Sequence, residues 1–186
     1  MNNHPTRIPS LLLASLVSLG TAGLLACSTQ GEGPTTGNSV LVNGAQHVVW
    51  SNLGGGFTPP IPATASCHLD ASYDFDLGGG SLSWSVCTIA NGDYSNPAAY
   101  STVTGSRVLT ADERTQATNA ARAVTVSIGT SCGADKPSLT LAVATHAGMT
   151  LYGDDFYACQ KMYDQYVASS PLDQLGDTLR GMAHNP

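Results

Sequence analysis

The stretch CHLDASYDFDLGGGSLSWSVC, residues 67–87, decides the fold, because apolar and polar side chains alternate on both sides of three glycines. Apolar residues occupy positions 69, 71, 73, 75 and 77 before the glycines, and positions 82, 84 and 86 after them. A period of two is typical of a strand with one buried face and one solvated face. The stretch therefore predicts an antiparallel hairpin with one wet face.

The register of this hairpin affects the cysteines at its ends. Matching apolar with apolar residues pairs Phe75 with Trp84 across the turn. In that register Cys87 lies far along the hairpin from Cys67. A disulfide requires Cα atoms within about 7 Å, so Cys67 reaches Cys87 only if the first strand breaks or bulges near Leu69.

Further strands are predicted on both sides of the central hairpin. Residues 47–50 are strand-like, and three glycines and three prolines exclude regular structure from residues 52–66. Residues 138–145 and 149–152 predict a second hairpin, joined by a His-Ala-Gly turn.

Four cysteines remain downstream of residue 27, and an even number favours two disulfides in an oxidising compartment. Extending the second hairpin outward brings Cys132 close to Cys159, which favours that bridge. The pair Cys67–Cys87 follows mainly by elimination, and the crossed pairings stay open.

Two helices are also predicted. Residues 110–124 begin with the capping-box spacing of Thr110 and Glu113 and carry one apolar face, formed by Ala117, Ala120, Ala121 and Val124. The second helix starts with Ser170 as its N-cap and Pro171 at the first helical position. Its apolar side comprises Leu172, Leu175, Leu179 and Met182, and Gly176 weakens it.

These elements predict a single α+β domain over residues 39–186. We expect an antiparallel β-sheet of about four to six strands, with the two helices on one face and disulfides as staples.

The N-terminus has the features of an export signal. Arg7 supplies a positive charge, and the apolar run of residues 11–25 is too short and too polar to be a convincing membrane span. The run ends in Leu24-Leu25-Ala26-Cys27, which resembles the lipobox of bacterial lipoproteins. That resemblance implies that residues 1–26 are a signal peptide and that Cys27 carries the lipid.

The residues after the lipobox fit an anchored protein. Residues 27–38 contain almost no apolar side chains, so they predict a flexible tether. The lipoprotein resemblance implies a cell-envelope location, and Ser28 rather than Asp after the cysteine favours the outer membrane. The stretch CGADKPSLTLAVATHAGMTLYGDDFYAC, residues 132–159, also resembles small, cysteine-containing, uncharacterised lipoproteins of Gram-negative bacteria. That second resemblance implies no established activity.

Composition argues against one class of partner. Thirteen acidic residues outnumber seven basic ones, and the formal net charge is −6. Nucleic-acid binding depends on clustered cationic side chains, so no nucleic-acid partner is expected. No cofactor motif is present, because phosphate-binding loops, zinc spacings and Gly-x-Ser-x-Gly are all missing from the sequence.

The string Tyr-Gly-Asp-Asp, residues 152–155, also occurs in RNA-templated polymerases, but this chain is too small and too acidic for that class. Adjacent strand residues also point to opposite faces. We interpret the string as the end of the second hairpin, with Gly153 permitting a bend and the carboxylates capping nearby N–H groups. A calcium site formed by Asp154, Asp155 and Asp135 is a weaker alternative.

Five of the twelve aromatic residues fall within residues 152–166. Such a group either packs beneath the Cys132–Cys159 bridge, which we favour, or forms a partner surface. The binding candidates at this end are Tyr152, Asp154, Asp155 and Phe156. The aspartates at 70, 74 and 76 are interpreted as part of a solvated strand face.

The leading hypothesis is a membrane-anchored, non-enzymatic binding module whose partner is an envelope protein or a glycan. The alternative is an envelope hydrolase, in one version assisted by a metal at Asp154 and Asp155.

Overall fold

The computed structural model describes residues 36–56, 59–129, 132–133 and 135–184. The expected signal peptide, the lipobox cysteine Cys27 and most of the expected tether lie outside these residues. At the start of the described part, the Gly37 N–H donates to the Val126 carbonyl over 2.8 Å. Within the described residues, backbone hydrogen bonds to the sheet therefore begin at Gly37.

The framework is an eight-stranded mixed sheet in the order β4-β3-β2-β1-β6-β7-β8-β5. All neighbouring strands are antiparallel except β7 and β8. The strands are β1 Ala45–Asn52, β2 Ala71–Asp76, β3 Ser81–Ile89, β4 Tyr100–Val108, β5 Val126–Ser127, β6 Leu139–Thr145, β7 Gly148–Asp154 and β8 Tyr166–Val167. The α+β class and both hairpins are confirmed, whereas the sheet has more strands than the four to six expected.

The missed strands have no readable apolar period. β4 is an edge strand, and six of its nine residues are exposed, which leaves no buried alternation to detect. β5 and β8 have two residues each, too few to establish any period.

The central hairpin keeps its predicted faces but shifts its register by two residues. Phe75 pairs with Leu82 rather than with Trp84, so the predicted pairing is wrong. The cause is the turn: the Asp76 carboxylate accepts the Gly79 N–H over 2.8 Å, which ends the strand at Asp76. That hydrogen bond also lowers the pKa of Asp76.

The first strand breaks where the disulfide requires it to break. Leu69 has a φ of 60°, in the left-handed region, and the Cys87 N–H donates to the Asp70 carbonyl over 2.8 Å. The break brings the Cα atoms of Cys67 and Cys87 to 5.7 Å, and the two residues form a disulfide. The predicted pairing and its geometric condition are both confirmed.

Two helices cover one face of the sheet: α1 Ala111–Ala123 and α2 Ser169–His184. The capping box of Thr110 and Glu113 is formed as predicted. The Thr110 N–H, followed by the Arg107 guanidinium, lowers the pKa of Glu113. α2 begins at Ser169, one residue before the predicted cap Ser170.

The core lies between α2 and the centre of the sheet. The predicted apolar side of α2 is buried, as Leu172, Leu175, Leu179 and Met182. Trp50 donates its indole N–H to the Leu172 carbonyl over 3.0 Å. A Cβ at Gly176 would come within 2.4 Å of the Trp50 ring, so this glycine is what permits the close approach of helix and sheet.

Among the residues that the structure describes, no helix combines the length and apolar character needed to cross a bilayer.

Candidate functional site

The Tyr-Gly-Asp-Asp string does not contain a bend at its glycine. Gly153 lies inside β7, paired with Thr140 of β6. A Cβ at this position would meet the Tyr163 ring at 2.2 Å. The predicted bend is therefore wrong, and Gly153 instead makes room for the Tyr163 ring against the sheet.

The predicted capping role of Asp154 is confirmed. Its carboxylate accepts the Phe156 N–H over 2.9 Å and caps a short 3₁₀ helix, Asp155–Gln160. The residue is only 2% exposed, so its charge needs partners within the protein. One of them is the Lys136 ammonium, whose Nζ lies 2.8 Å from Asp154 Oδ2.

Asp155 turns toward the same centre as Asp154. Its Oδ2 accepts the Ser127 hydroxyl over 2.7 Å, and its Oδ1 accepts the Ser169 N–H over 3.0 Å. The Ser169 hydroxyl reaches both carboxylates. The start of the 3₁₀ helix thus overrides strand alternation, and the two carboxylates converge on the first residue of α2.

Lys136 is the cation of this group. Its Nζ lies between Asp154 and Asp173, 2.9 Å from Asp173 Oδ2. Burial lowers the pKa of Lys136, but the hydrogen bonds to the two carboxylates outweigh burial and raise the pKa above its usual value. We name these six residues the Lys136 cluster: Ser127, Lys136, Asp154, Asp155, Ser169 and Asp173.

The Lys136 cluster occupies the position considered for calcium. Within the described ranges, no hydrogen bond or ion pair joins Asp135 to either Asp154 or Asp155; its neighbour Lys136 contacts Asp154 instead. Each carboxylate oxygen of the pair already accepts a hydrogen bond from the protein. A divalent ion would have to displace a lysine and several donors.

One group in the described part of the chain has metal-ligand spacing, and it lies away from the Lys136 cluster: Cys67, Asp70 and Cys87. Its two cysteines are joined in a disulfide. A metal is bound by thiolate sulfur, so the intact bridge leaves only one carboxylate as a ligand there.

The aromatic residues at this end serve mainly as packing and support. Tyr152 is buried in the core, and burial raises its pKa. The Phe156 ring is half-buried, and the Lys136 ammonium lies 5.6 Å from its centre. The Tyr157 hydroxyl accepts the Lys136 backbone N–H over 2.9 Å. Of the four predicted binding residues, none is largely exposed.

A disulfide lies beside the cluster. Cys132 and Cys159 are bonded, with their Cα atoms 5.1 Å apart, which confirms the predicted bridge. Both residues are exposed, unlike the buried pair at the central hairpin. The bridge connects the segment before β6 to the 3₁₀ helix after β7.

A groove opens next to the aromatic residues, with a volume of about 210 Å³. Its lining consists of Gly54, Gly55, Gly56, Lys136, Ser138, Tyr157, Gln160 and Met162. Met162 is 54% exposed at this groove. The glycines at 54–56 therefore line the same groove as Lys136, which belongs to the Lys136 cluster.

Sequence reasoning missed two contacts of chemical interest. The first contact is the ion pair of Lys136 with the buried Asp154. Its one signal in the sequence is that Lys136 is one of only two lysines in the chain. The second contact is that of His47, whose Nδ1 lies 3.0 Å from Asp74 Oδ1 on the face of the sheet away from the helices. Both side chains of that pair are exposed, and among the described residues no serine hydrogen bonds to the His47 ring.

Comparison with known proteins found no matching family model, no matching curated protein and no matching solved structure.

Proposed function

We propose that the protein is a cell-envelope lipoprotein, anchored through a lipid on Cys27 in the outer membrane, whose domain is a non-enzymatic binding module. The proposed partner is an envelope protein or a glycan. The lipobox-like sequence supports the anchor, and two disulfides suit an oxidising compartment.

The observation that carries the binding proposal is the groove beside the aromatic residues. At about 210 Å³ it is smaller than the ~300–1,000 Å³ typical of drug-sized ligand sites. A groove of this size accommodates one side chain or one sugar unit of a larger partner. Its apolar rim at Met162 and its polar lining at Lys136 and Gln160 provide both kinds of contact.

The carboxylate pair supports this surface rather than acting on a substrate. The carboxylate oxygens of Asp154 and Asp155 all accept hydrogen bonds within the protein. The donors are Lys136, Ser127, Ser169 and the Phe156 backbone N–H. No observation favours the metal-assisted hydrolase at these residues. If calcium or zinc raised the melting temperature, and Asp154→Asn abolished that rise, the hydrolase would replace our proposal.

Anchoring is tested by growing producing cells with an alkyne-bearing fatty acid. The wild-type protein should incorporate the label and fractionate with outer membranes. The Cys27→Ser variant should carry no label. Equal labelling of both proteins would contradict lipidation at Cys27.

Binding is tested by affinity capture from envelope extracts with three matched proteins. Met162→Lys places a charge at the groove, whereas Met149→Lys places the same charge on a methionine that is 69% exposed at the other end of β7. The wild type and Met149→Lys should capture the same protein or glycan, and Met162→Lys should lose most of it. Capture that is absent, or equal in all three, would reject the groove as the binding surface.

A further inference from the structure

The two edges of the sheet differ in length and in cover. β5 has only two residues, and its outer side is hydrogen bonded by the chain that precedes β1, with the Val126 N–H donating to the Asn38 carbonyl over 2.9 Å. β4, at the other edge, has nine residues and pairs with β3 without a bulge. In the part of the chain that the structure describes, no strand pairs with the outer side of β4.

The pairing with β3 shows which backbone groups of β4 face outward. The Leu109 N–H donates to the Gly80 carbonyl, and hydrogen-bonded pairs alternate along antiparallel strands. Residues 101, 103, 105 and 107 therefore direct their backbone groups toward β3, and residues 102, 104, 106 and 108 direct theirs outward. Among the described residues, none of these four outward residues has a backbone hydrogen-bond partner on that side. Such a row is a template for another strand.

β4 carries no lysine, proline or bulge, and its one charged residue, Arg107, faces the helices. Natural edges carry lysines, prolines, bulges or inward charges. The only charge in β4 is Arg107, which is already ion-paired with Glu113 over 2.6 Å. Val103 and Val108 are 46% and 72% exposed, so apolar surface flanks the open edge.

We propose that β4 pairs with the β4 strand of a second copy of this chain, antiparallel and centred on Thr104, so that two sheets join across a two-fold axis. Centring on Thr104 matches outward residues with outward residues and pairs residues 101–107 of the two strands, because the Tyr100 carbonyl already accepts the Ser66 hydroxyl. A two-fold contact uses the same surface on both copies, as this register does.

Side chains and charge favour a second copy as the occupant. In this register, Val103 of one copy lies opposite Gly105 of the other copy. The Trp84 ring lies where a Cβ at Gly105 would be, so each Val103 would cover the Trp84 ring of the other copy. The chain is acidic as a whole, yet β4 contains no acidic residue. The proposed interface therefore brings no unpaired like charges together.

Crosslinking of the full-length protein in membranes of producing cells tests the pairing. The four cysteines of the domain are in disulfides, so Thr104→Cys adds a unique domain thiol at the proposed axis. A short bis-maleimide should link two differently tagged copies of this variant. Ser83→Cys, exposed on the same face but one strand inward, should give little crosslinked dimer.

A proline then separates pairing from chance proximity. Ser106→Pro removes an outward N–H without removing a hydrogen bond to β3, and edge strands tolerate such prolines. It should leave the melting temperature unchanged and reduce the dimer yield of Thr104→Cys about tenfold or more, since it deletes hydrogen bonds on both sides of the axis.

A charge exchange provides a second test that does not depend on proline. Thr104→Lys and Thr104→Asp, each alone, should dimerise more weakly than wild type, and their equimolar mixture should recover association by about fivefold. Three results would overturn the proposal: equal crosslinking at positions 83 and 104, dimer yields indifferent to Ser106→Pro in a folded protein, or crosslinks at position 104 only to other proteins.

Discussion

The hairpins β2–β3 and β6–β7 both carry a disulfide at their open end, but the two ends are built from opposite chemistry. At the first, which we name the apolar end, Cys67 and Cys87 are buried in a small cluster with Tyr100. At the second, which we name the charged end, the exposed bridge between Cys132 and Cys159 adjoins the Lys136 cluster.

The difference teaches where each end is sensitive. Burial of apolar atoms depends little on pH and is lost gradually as atoms are removed. A buried ion pair depends on both partners, because removal of one leaves an uncompensated charge. The apolar end should therefore respond to changes in volume, and the charged end to changes in charge.

Removal of each disulfide gives the largest effects and compares the ends directly. The bridges span 20 and 27 residues, so chain entropy alone assigns each about 3 kcal/mol. The double variant Cys67→Ala with Cys87→Ala should lose about 1 kcal/mol more, because it also removes buried sulfur atoms. Cys132→Ala with Cys159→Ala removes exposed atoms and serves as the matched variant.

Urea unfolding of the two double variants measures this difference. Equal losses of unfolding free energy would show that burial of the first bridge contributes nothing beyond its crosslink.

The cation at the charged end gives the next largest effect. Lys136→Met leaves the Asp154 charge buried without its ammonium, and we expect a loss of about 3 kcal/mol in unfolding free energy. Adding Asp154→Asn to the same chain should recover part of that loss, because the buried charge is then removed. Lys161→Met, at an exposed position, should change stability by less than about 0.5 kcal/mol.

A double variant no more stable than Lys136→Met alone would mean that the ion pair does not hold this end. The measurement is again urea unfolding, with the three variants and the wild type in one buffer.

The contrast between the ends also explains which parts of the structure were predictable. The central hairpin and both helices follow from apolar patterns of period two or 3.6. The capping box follows from the local spacing of Thr110 and Glu113. The hairpin register did not follow from matching apolar residues, because the Asp76 carboxylate captured the turn N–H groups and shifted the pairing by two. Local hydrogen bonding to a side chain outweighed apolar matching there.

The Lys136 cluster depends on contacts that no local pattern encodes. Lys136 and Asp154 are 18 positions apart, and Lys136 and Asp173 are 37 apart. The sequence predicted that Asp154 caps nearby N–H groups, because that contact spans two residues. It did not predict the lysine, since only the packing of α2 against the end of β7 brings all three together.

A smaller effect should follow from the hydroxyl that joins α2 to the charged end. Ser169→Ala removes a donor shared by Asp154 and Asp155, and a hydrogen bond to a charged group contributes about 1.5–3 kcal/mol. We expect a loss near the lower figure, because both carboxylates keep other donors. Ser170→Ala, at the exposed neighbouring position, is the control for helix propensity.

Similar losses in Ser169→Ala and Ser170→Ala, measured by thermal unfolding, would contradict a specific role for the Ser169 hydroxyl.

Alkaline pH should give the smallest and most gradual effect, through Lys136 and Tyr152. In the folded protein the pKa values of both groups lie above their ordinary values of 10.5 and 10.0. A group with a raised folded pKa contributes stability that is fully present below its unfolded pKa and is lost as the pH rises through the folded pKa. Unfolding free energy should therefore begin to fall near pH 10 and continue to fall above it.

The slope of that decline distinguishes the two causes. The unfolding free energy of Lys136→Met should be lower than that of the wild type at neutral pH. It should also decline less above pH 10, because the variant has no lysine proton at this position to link to folding. Tyr152→Phe should also flatten the decline, whereas Tyr94→Phe, at an exposed tyrosine, should leave the slope unchanged. If all four proteins lost stability in parallel between pH 9 and 11, the alkaline sensitivity would lie outside the charged end, and the contrast between the two hairpin ends would not extend to protonation.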